Sequence, residues 1–94
     1  MTTGGYVNIE LEIINEKGLH ARASAKFVET VESFDANATV TKDGMSVSGD
    51  SIMGLMMLAA ARGSTIQVET EGAAAEELAQ AIKALVEDFF GEGR

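Results

Sequence analysis

Gly18-Leu19-His20-Ala21-Arg22-Ala23-Ser24-Ala25 holds the chain's single histidine, at a point where one hydrophobic spacing gives way to another. Before it, Val7, Ile9, Leu11 and Ile13 alternate with Asn8, Glu10 and Glu12, the period of a half-buried strand. After it, Ala21, Ala25, Val28 and Val31 recur at helical spacing, so His20 is expected at or beside a helix start. The first N–H groups of a helix have no intrahelical acceptor and carry the positive end of the macrodipole, which makes such a place favourable for an anion, phosphate especially. A neutral imidazole there can act as a nucleophile toward phosphorus. Arg22 in the first turn opposes the dipole unless an anion is to be met, and the backbone of Ala21, Arg22 and Ala23 supplies the candidate phosphate cradle. Lys17 and Lys26 read as solvated surface cations.

A second stretch, Ser51-Ile52-Met53-Gly54-Leu55-Met56-Met57-Leu58, is apolar nearly all the way round a short helix. A one-sided core contact cannot bury every one of these side chains, so some methionines are expected at the surface. Flexible thioethers suit a docking surface that fits several partners. Asp50 and Ser51 are both candidate N-caps for that helix.

The elements that position these residues follow from spacing and punctuation. A strand is expected from about Tyr6 to Ile14, a turn at Asn15-Glu16-Lys17-Gly18, and a helix from about Ala21 to Ser33. Ala38 to Lys42 and Met45 to Val47 flank Asp43-Gly44, the dipeptide signal of a tight antiparallel hairpin. The methionine helix runs from Ile52 to about Ala60, with Gly63 as its C-cap and Arg62 near its negative end. Thr65 to Thr70 returns as a strand. The chain closes on a helix from about Ala74 to Phe90, whose apolar face is Leu78, Ala79, Ile82, Leu85, Val86 and Phe89. The order is βαββαβα, which implies an α+β open-faced sandwich: a four-stranded antiparallel sheet with three helices packed on one face. Bringing the first and last strands together is one arrangement this order allows.

Composition bounds the rest. Ninety-four residues make one domain, 1–94 with a core of about 6–90, and the ends Met1 to Gly5 and Gly91 to Arg94 are expected to fray. With no cysteine, thiolate catalysis, disulfides and zinc ribbons are excluded; metal binding by His20 has no second histidine or cysteine to complete a site, and no cofactor is implied. Fifteen acidic residues against seven basic ones leave a net charge of −8, which disfavours nucleic acid and anionic membranes as partners. The apolar run Ile52 to Ala61 is far shorter than the roughly 20 residues of a spanning helix, and Met1-Thr2-Thr3-Gly4-Gly5 has no signal-peptide character, so a soluble, cytoplasmic protein is expected.

Gly18-Leu19-His20-Ala21-Arg22, joined to Ser51-Ile52-Met53-Gly54-Leu55-Met56 about thirty residues on, resembles the HPr family, the histidine phosphocarriers of the bacterial phosphoenolpyruvate-dependent phosphotransferase system. The similarity covers residues 6 to 90. It implies that His20 accepts a phosphoryl group on Nδ1 from Enzyme I and passes it to an EIIA-type protein, and that Arg22 helps to balance the phosphoryl charge. It further implies that Ser51 matches the serine modified by HPr kinase/phosphorylase, and that Ile52, Met53, Gly54 and Met56 match the apolar patch on which partners dock. Such a protein is a monomeric carrier and not an enzyme. Ala23 stands where the family commonly has proline; alanine is a good helix former and offers one more N–H, so transfer is expected to survive. The acidic balance and the His-Ala-Arg-Ala-Ser run resemble the alphaproteobacterial, nitrogen-type branch. Two other readings stay open: a regulatory binding module that acts through the methionine surface without transfer, and a small phosphate-ester hydrolase, for which the motif offers no second catalytic group.

Overall fold

A computed structural model describes residues 5–94. The elements are β1 (Gly5–Glu12), α1 (Ala21–Glu32), β2 (Asn37–Lys42), β3 (Met45–Ser48), α2 (Ile52–Met57), β4 (Thr65–Gly72) and α3 (Ala75–Glu87), followed by a single 3₁₀ turn, Phe89–Gly91. Their order is the βαββαβα expected from the spacing. The four strands form one antiparallel sheet in the order β1-β4-β2-β3, so the first and last strands are neighbours. Gly5 pairs with Gly72 and Glu12 with Thr65 at the two ends of the β1–β4 ladder. The remaining residues of the expected N-terminal fray, 1–4, lie outside the described part.

One face of the sheet supplies Leu11, Val40, Ile66 and Val68 to the core; the helices cover it with Phe27, Val31, Leu55, Leu78, Ile82 and Val86. On the other face Asn8, Glu10, Gln67 and Thr39 stand exposed, as period-two alternation requires. The β2–β3 hairpin turns at Asp43 and Gly44, both with positive φ (51° and 82°), the geometry that makes Asp-Gly a hairpin signal.

Three details depart from the sequence-based expectations. In α1 the buried face is Ala23, Ser24, Phe27, Val28 and Val31, while Ala21 and Ala25 are exposed. Phe27 and Val31 have the larger area to bury and set the helix's rotation, whereas alanine loses little at the surface. Second, α2 ends at Met57 and reverses at Ala59, which takes a left-handed φ of 52°; Gly63, expected as the cap, sits instead in the turn from Ala61 to Ser64. The early reversal brings Ala60 into the core, where its carbonyl accepts the Leu19 N–H at 2.9 Å. Third, α3 stops at Glu87. Phe89 and Phe90 both adopt positive φ, and Phe90, not Phe89, is the fully buried aromatic. This turn redirects the last residues across the molecule toward His20, so Gly91 to Arg94 do not form the free end that the sequence suggested.

Candidate functional site

His20 is the N-cap of α1, with φ −78° and ψ −178°, and its carbonyl accepts the first helical hydrogen bond from Ser24 N at 2.9 Å. It is placed there by a short strap. Gly18 adopts φ 65° with its Cα pressed against the Ala60–Ala61 backbone, Leu19 is buried and bonded to Ala60, and His20 follows half-buried. A side chain at position 18 would meet the Ala60 carbonyl oxygen at 2.5 Å, so the strap's close approach requires glycine. The His20 side chain makes no cap bond to the helix, and the amides of Ala21, Arg22 and Ala23 have no protein acceptor among the described residues. Three N–H groups at the positive end of a twelve-residue helix are thus available to an anion beside the imidazole.

An open depression of about 590 Å³ lies over this terminus, lined by Glu16, Lys17, His20, Ala21, Arg22, Lys26, Gly91, Glu92 and Arg94. Four of the chain's seven basic residues, Lys17, Arg22, Lys26 and Arg94, are therefore gathered at one spot on a molecule of net charge −8. Lys17 and Lys26, read from sequence as ordinary surface cations, belong to this rim; Lys26 also donates to the Phe90 carbonyl at 2.7 Å. The depression is a cationic concavity in an acidic surface, suited to a multiply charged anion.

Two site residues were not visible in the spacing. Glu92 reaches back from the chain's end so that Oε2 pairs with His20 Nε2, and its Oε1 accepts a hydrogen bond from Asn15 Nδ2 at 3.0 Å. Asn15 is fully buried, and the same amide nitrogen donates to the Gly18 carbonyl at 2.8 Å. Burial works against the charge on Glu92, but hydrogen bonds from His20 and Asn15 and the charges of His20 and Lys17 together hold its carboxyl below its ordinary pKa. The available clues were local: an asparagine in the turn before the histidine, and Phe89-Phe90-Gly91, an aromatic anchor and a glycine just before Glu92.

The second candidate stretch forms α2, beside α1. Ser51 is its N-cap, its Oγ accepting from Gly54 N at 3.0 Å, while Asp50 accepts instead from Ser48 Oγ at 2.6 Å. Met53 is 75% exposed and Met57 66%, with Ile52, Met56 and Met45 also at the surface. Only Leu55 within the helix is buried. Gly54 is half-buried, close over Val47 and Ser51, so its contribution is to let α2 lie flat against β3.

Comparison with known proteins agrees with this geometry. Residues 7–88 match the family model described as the PTS HPr component phosphorylation site. The chain belongs to the HPr family. It is 53% identical over 83 residues to the phosphocarrier protein HPr of Neisseria meningitidis serogroup A, covering 88% of this chain and 93% of that one. With the phosphocarrier protein HPr of Cupriavidus necator it shares 47% over 81 residues, covering 86% and 91%. Among solved structures it superposes on HPr from Thermoanaerobacter tengcongensis with a TM-score of 0.88 at 40% identity, over 92% of this chain and 97% of the other. Crh, the catabolite repression HPr of Bacillus subtilis, matches with a TM-score of 0.72 at 33% identity over 84% and 91%; it was solved as a domain-swapped dimer. No helix among the described residues is long and apolar enough to cross a membrane, and no cluster of three or more potential metal ligands occurs among them.

Proposed function

We propose that this HPr-family chain carries a phosphoryl group on His20, received from Enzyme I and handed to an EIIA-type protein. The observation that supports this most directly is the coincidence at one place of a half-buried imidazole, three unpaired helix amides and four cations in an otherwise acidic molecule. Of the two imidazole nitrogens, Nε2 is paired with Glu92, which supports Nδ1 as the nucleophile in this reading. Its lone pair attacks phosphorus in line as the bond from phosphorus to the donor's leaving atom breaks. Arg22 and the amides of Ala21, Arg22 and Ala23 then share the phosphoryl charge. A carrier needs no enclosed pocket, because the partner protein closes the site. The chain is accordingly a substrate and product of its partner enzymes and not itself a catalyst.

Ile52, Met53 and Met56 form the docking face in this reading, with Gly54 keeping the helix low against the sheet beneath it. Ser51 is the candidate regulatory site for a dedicated kinase: a phosphoryl group there would bring about 1.5 to 2 negative charges to the edge of the apolar face and oppose docking by repulsion and desolvation. The working form is a cytoplasmic monomer, one domain over residues 1–94.

The test is intact mass after incubation with Enzyme I and phosphoenolpyruvate, in wild type and His20→Ala. One added phosphoryl group, lost in acid and absent from the variant, supports the reading. No adduct with several active Enzyme I preparations overturns it and leaves the methionine face, as a regulatory binding surface, as the remaining function. Presenting the phosphorylated carrier to sugar-type and nitrogen-type acceptors then assigns the branch.

A further inference from the structure

The contact between the C-terminal segment and His20 has the form of a histidine held by a half-buried carboxylate that a buried amide orients. Asn15 has no exposed surface; its Nδ2 donates both to Gly18 O at 2.8 Å and to Glu92 Oε1 at 3.0 Å, so the amide cannot turn over without losing both bonds. Glu92 is thereby aimed, and its second oxygen receives His20 Nε2. The segment that carries it is anchored two residues earlier: Phe90 is fully buried, and the Phe90 carbonyl accepts Lys26 Nζ at 2.7 Å.

We propose that Glu92, oriented by Asn15, is a positioning residue for phosphoryl transfer that holds His20 in the Nε2–H tautomer. An ionised carboxylate only accepts, so in the neutral imidazole that a nucleophile requires, the proton lies on Nε2 and the lone pair on Nδ1, which faces away from Glu92. The proposal rests on the phosphocarrier reading and deepens it. When Nδ1 forms its bond to phosphorus and the donor's leaving atom departs with the bonding electrons, no proton leaves the ring. The Nε2 proton stays in its bond to Glu92, the imidazole becomes cationic, and the carboxylate neutralises it. The return step reverses each of these changes. A carboxylate that orients and charge-compensates a histidine from the far side is the same logic by which partners of metal-bound and catalytic histidines act.

Glu92→Gln in the full-length chain separates the possibilities. The introduced carboxamide keeps an oxygen for Asn15 and presents its NH₂ to His20, which favours the opposite tautomer with the lone pair on Nε2. Long-range ¹H–¹⁵N correlation of the His20 ring in the unphosphorylated protein reads this directly and needs no partner. The expected result is an Nε2–H tautomer in wild type, a shift toward Nδ1–H in Glu92→Gln, and transfer from Enzyme I slowed about tenfold to a hundredfold, the range of a hydrogen bond to a charged group; Glu92→Asp restores part of the rate. An unchanged tautomer, an unchanged rate, or faster transfer overturns the proposal, the last by making Glu92 a competing anion. Wild type that takes no phosphoryl group while its ring shows the Nε2–H tautomer would instead remove the carrier reading and leave the clamp intact.

Discussion

Gly18→Ala tests whether the strap before His20 depends on close contact with the end of the methionine helix. Two costs are separable. At φ 65° an alanine pays the left-handed penalty of about 1–2 kcal/mol. Its Cβ would also stand 2.5 Å from the Ala60 carbonyl oxygen and 2.9 Å from Ala61 Cα, both backbone atoms that can shift only with the chain that carries them, an overpacking cost of about 1–3 kcal/mol. Gly44→Ala is the control: φ is 82° and nothing lies within 4 Å, so only the first cost applies. The reduced freedom of the unfolded chain affects both variants alike and cancels in the comparison. At roughly 6 °C per kcal/mol for a domain of this size, Gly44→Ala should lower Tm by about 10 °C and Gly18→Ala by about 20 °C. To relieve the clash the Ala60 carbonyl must move, which lengthens the 2.9 Å bond to Leu19 one residue before His20. Calorimetry on the two variants gives the stabilities, and phosphoryl uptake measured well below both midpoints gives function. Only Gly18→Ala should lose rate. Equal Tm shifts in the two variants would show the strap's contact to be unimportant, since the close approach is all that distinguishes them.

Phe90→Ala removes a fully buried aromatic and should destabilise by about 3–5 kcal/mol, while freeing Glu92 from His20; thermal unfolding and the His20 ring spectrum check the two parts. Ser51→Ala loses the acceptor for Gly54 N and should cost about 1 kcal/mol, whereas Ser51→Asp should retain stability and weaken Enzyme I binding in a titration. Met53→Lys, at a side chain 75% exposed, should leave stability within about 0.5 kcal/mol of wild type and still reduce partner affinity. Glu92 has a folded pKa below its unfolded one, so it binds fewer protons when folded; its contribution is present above the ordinary glutamate value near 4.3 and fades as pH falls through the folded pKa. The Tm difference between wild type and Glu92→Gln should therefore be present above the ordinary glutamate range and shrink as acidification passes about pH 4.

Local sequence was enough for the element order, the hairpin at Asp43-Gly44, the position of His20 at a helix start and the exposed methionines of α2, because each rests on periodicity, turn chemistry or a short motif. It was not enough for where helices stop when a tertiary contact competes. Ala59 takes a strained left-handed φ so that Ala60 can reach the core and bind Leu19, and nothing local to an alanine announces that. Nor did it show which cations matter: Lys17, Arg22, Lys26 and Arg94 become one site only when the chain's end folds back across α1. The same return assembled the Asn15–Glu92–His20 chain, in which Asn15 lies 77 residues and His20 72 residues from the carboxylate that joins them. Periodicity continued α3 through Phe89 and Phe90; burial of Phe90 against the core broke it, and that packing, which no spacing rule records, placed a carboxylate on the histidine.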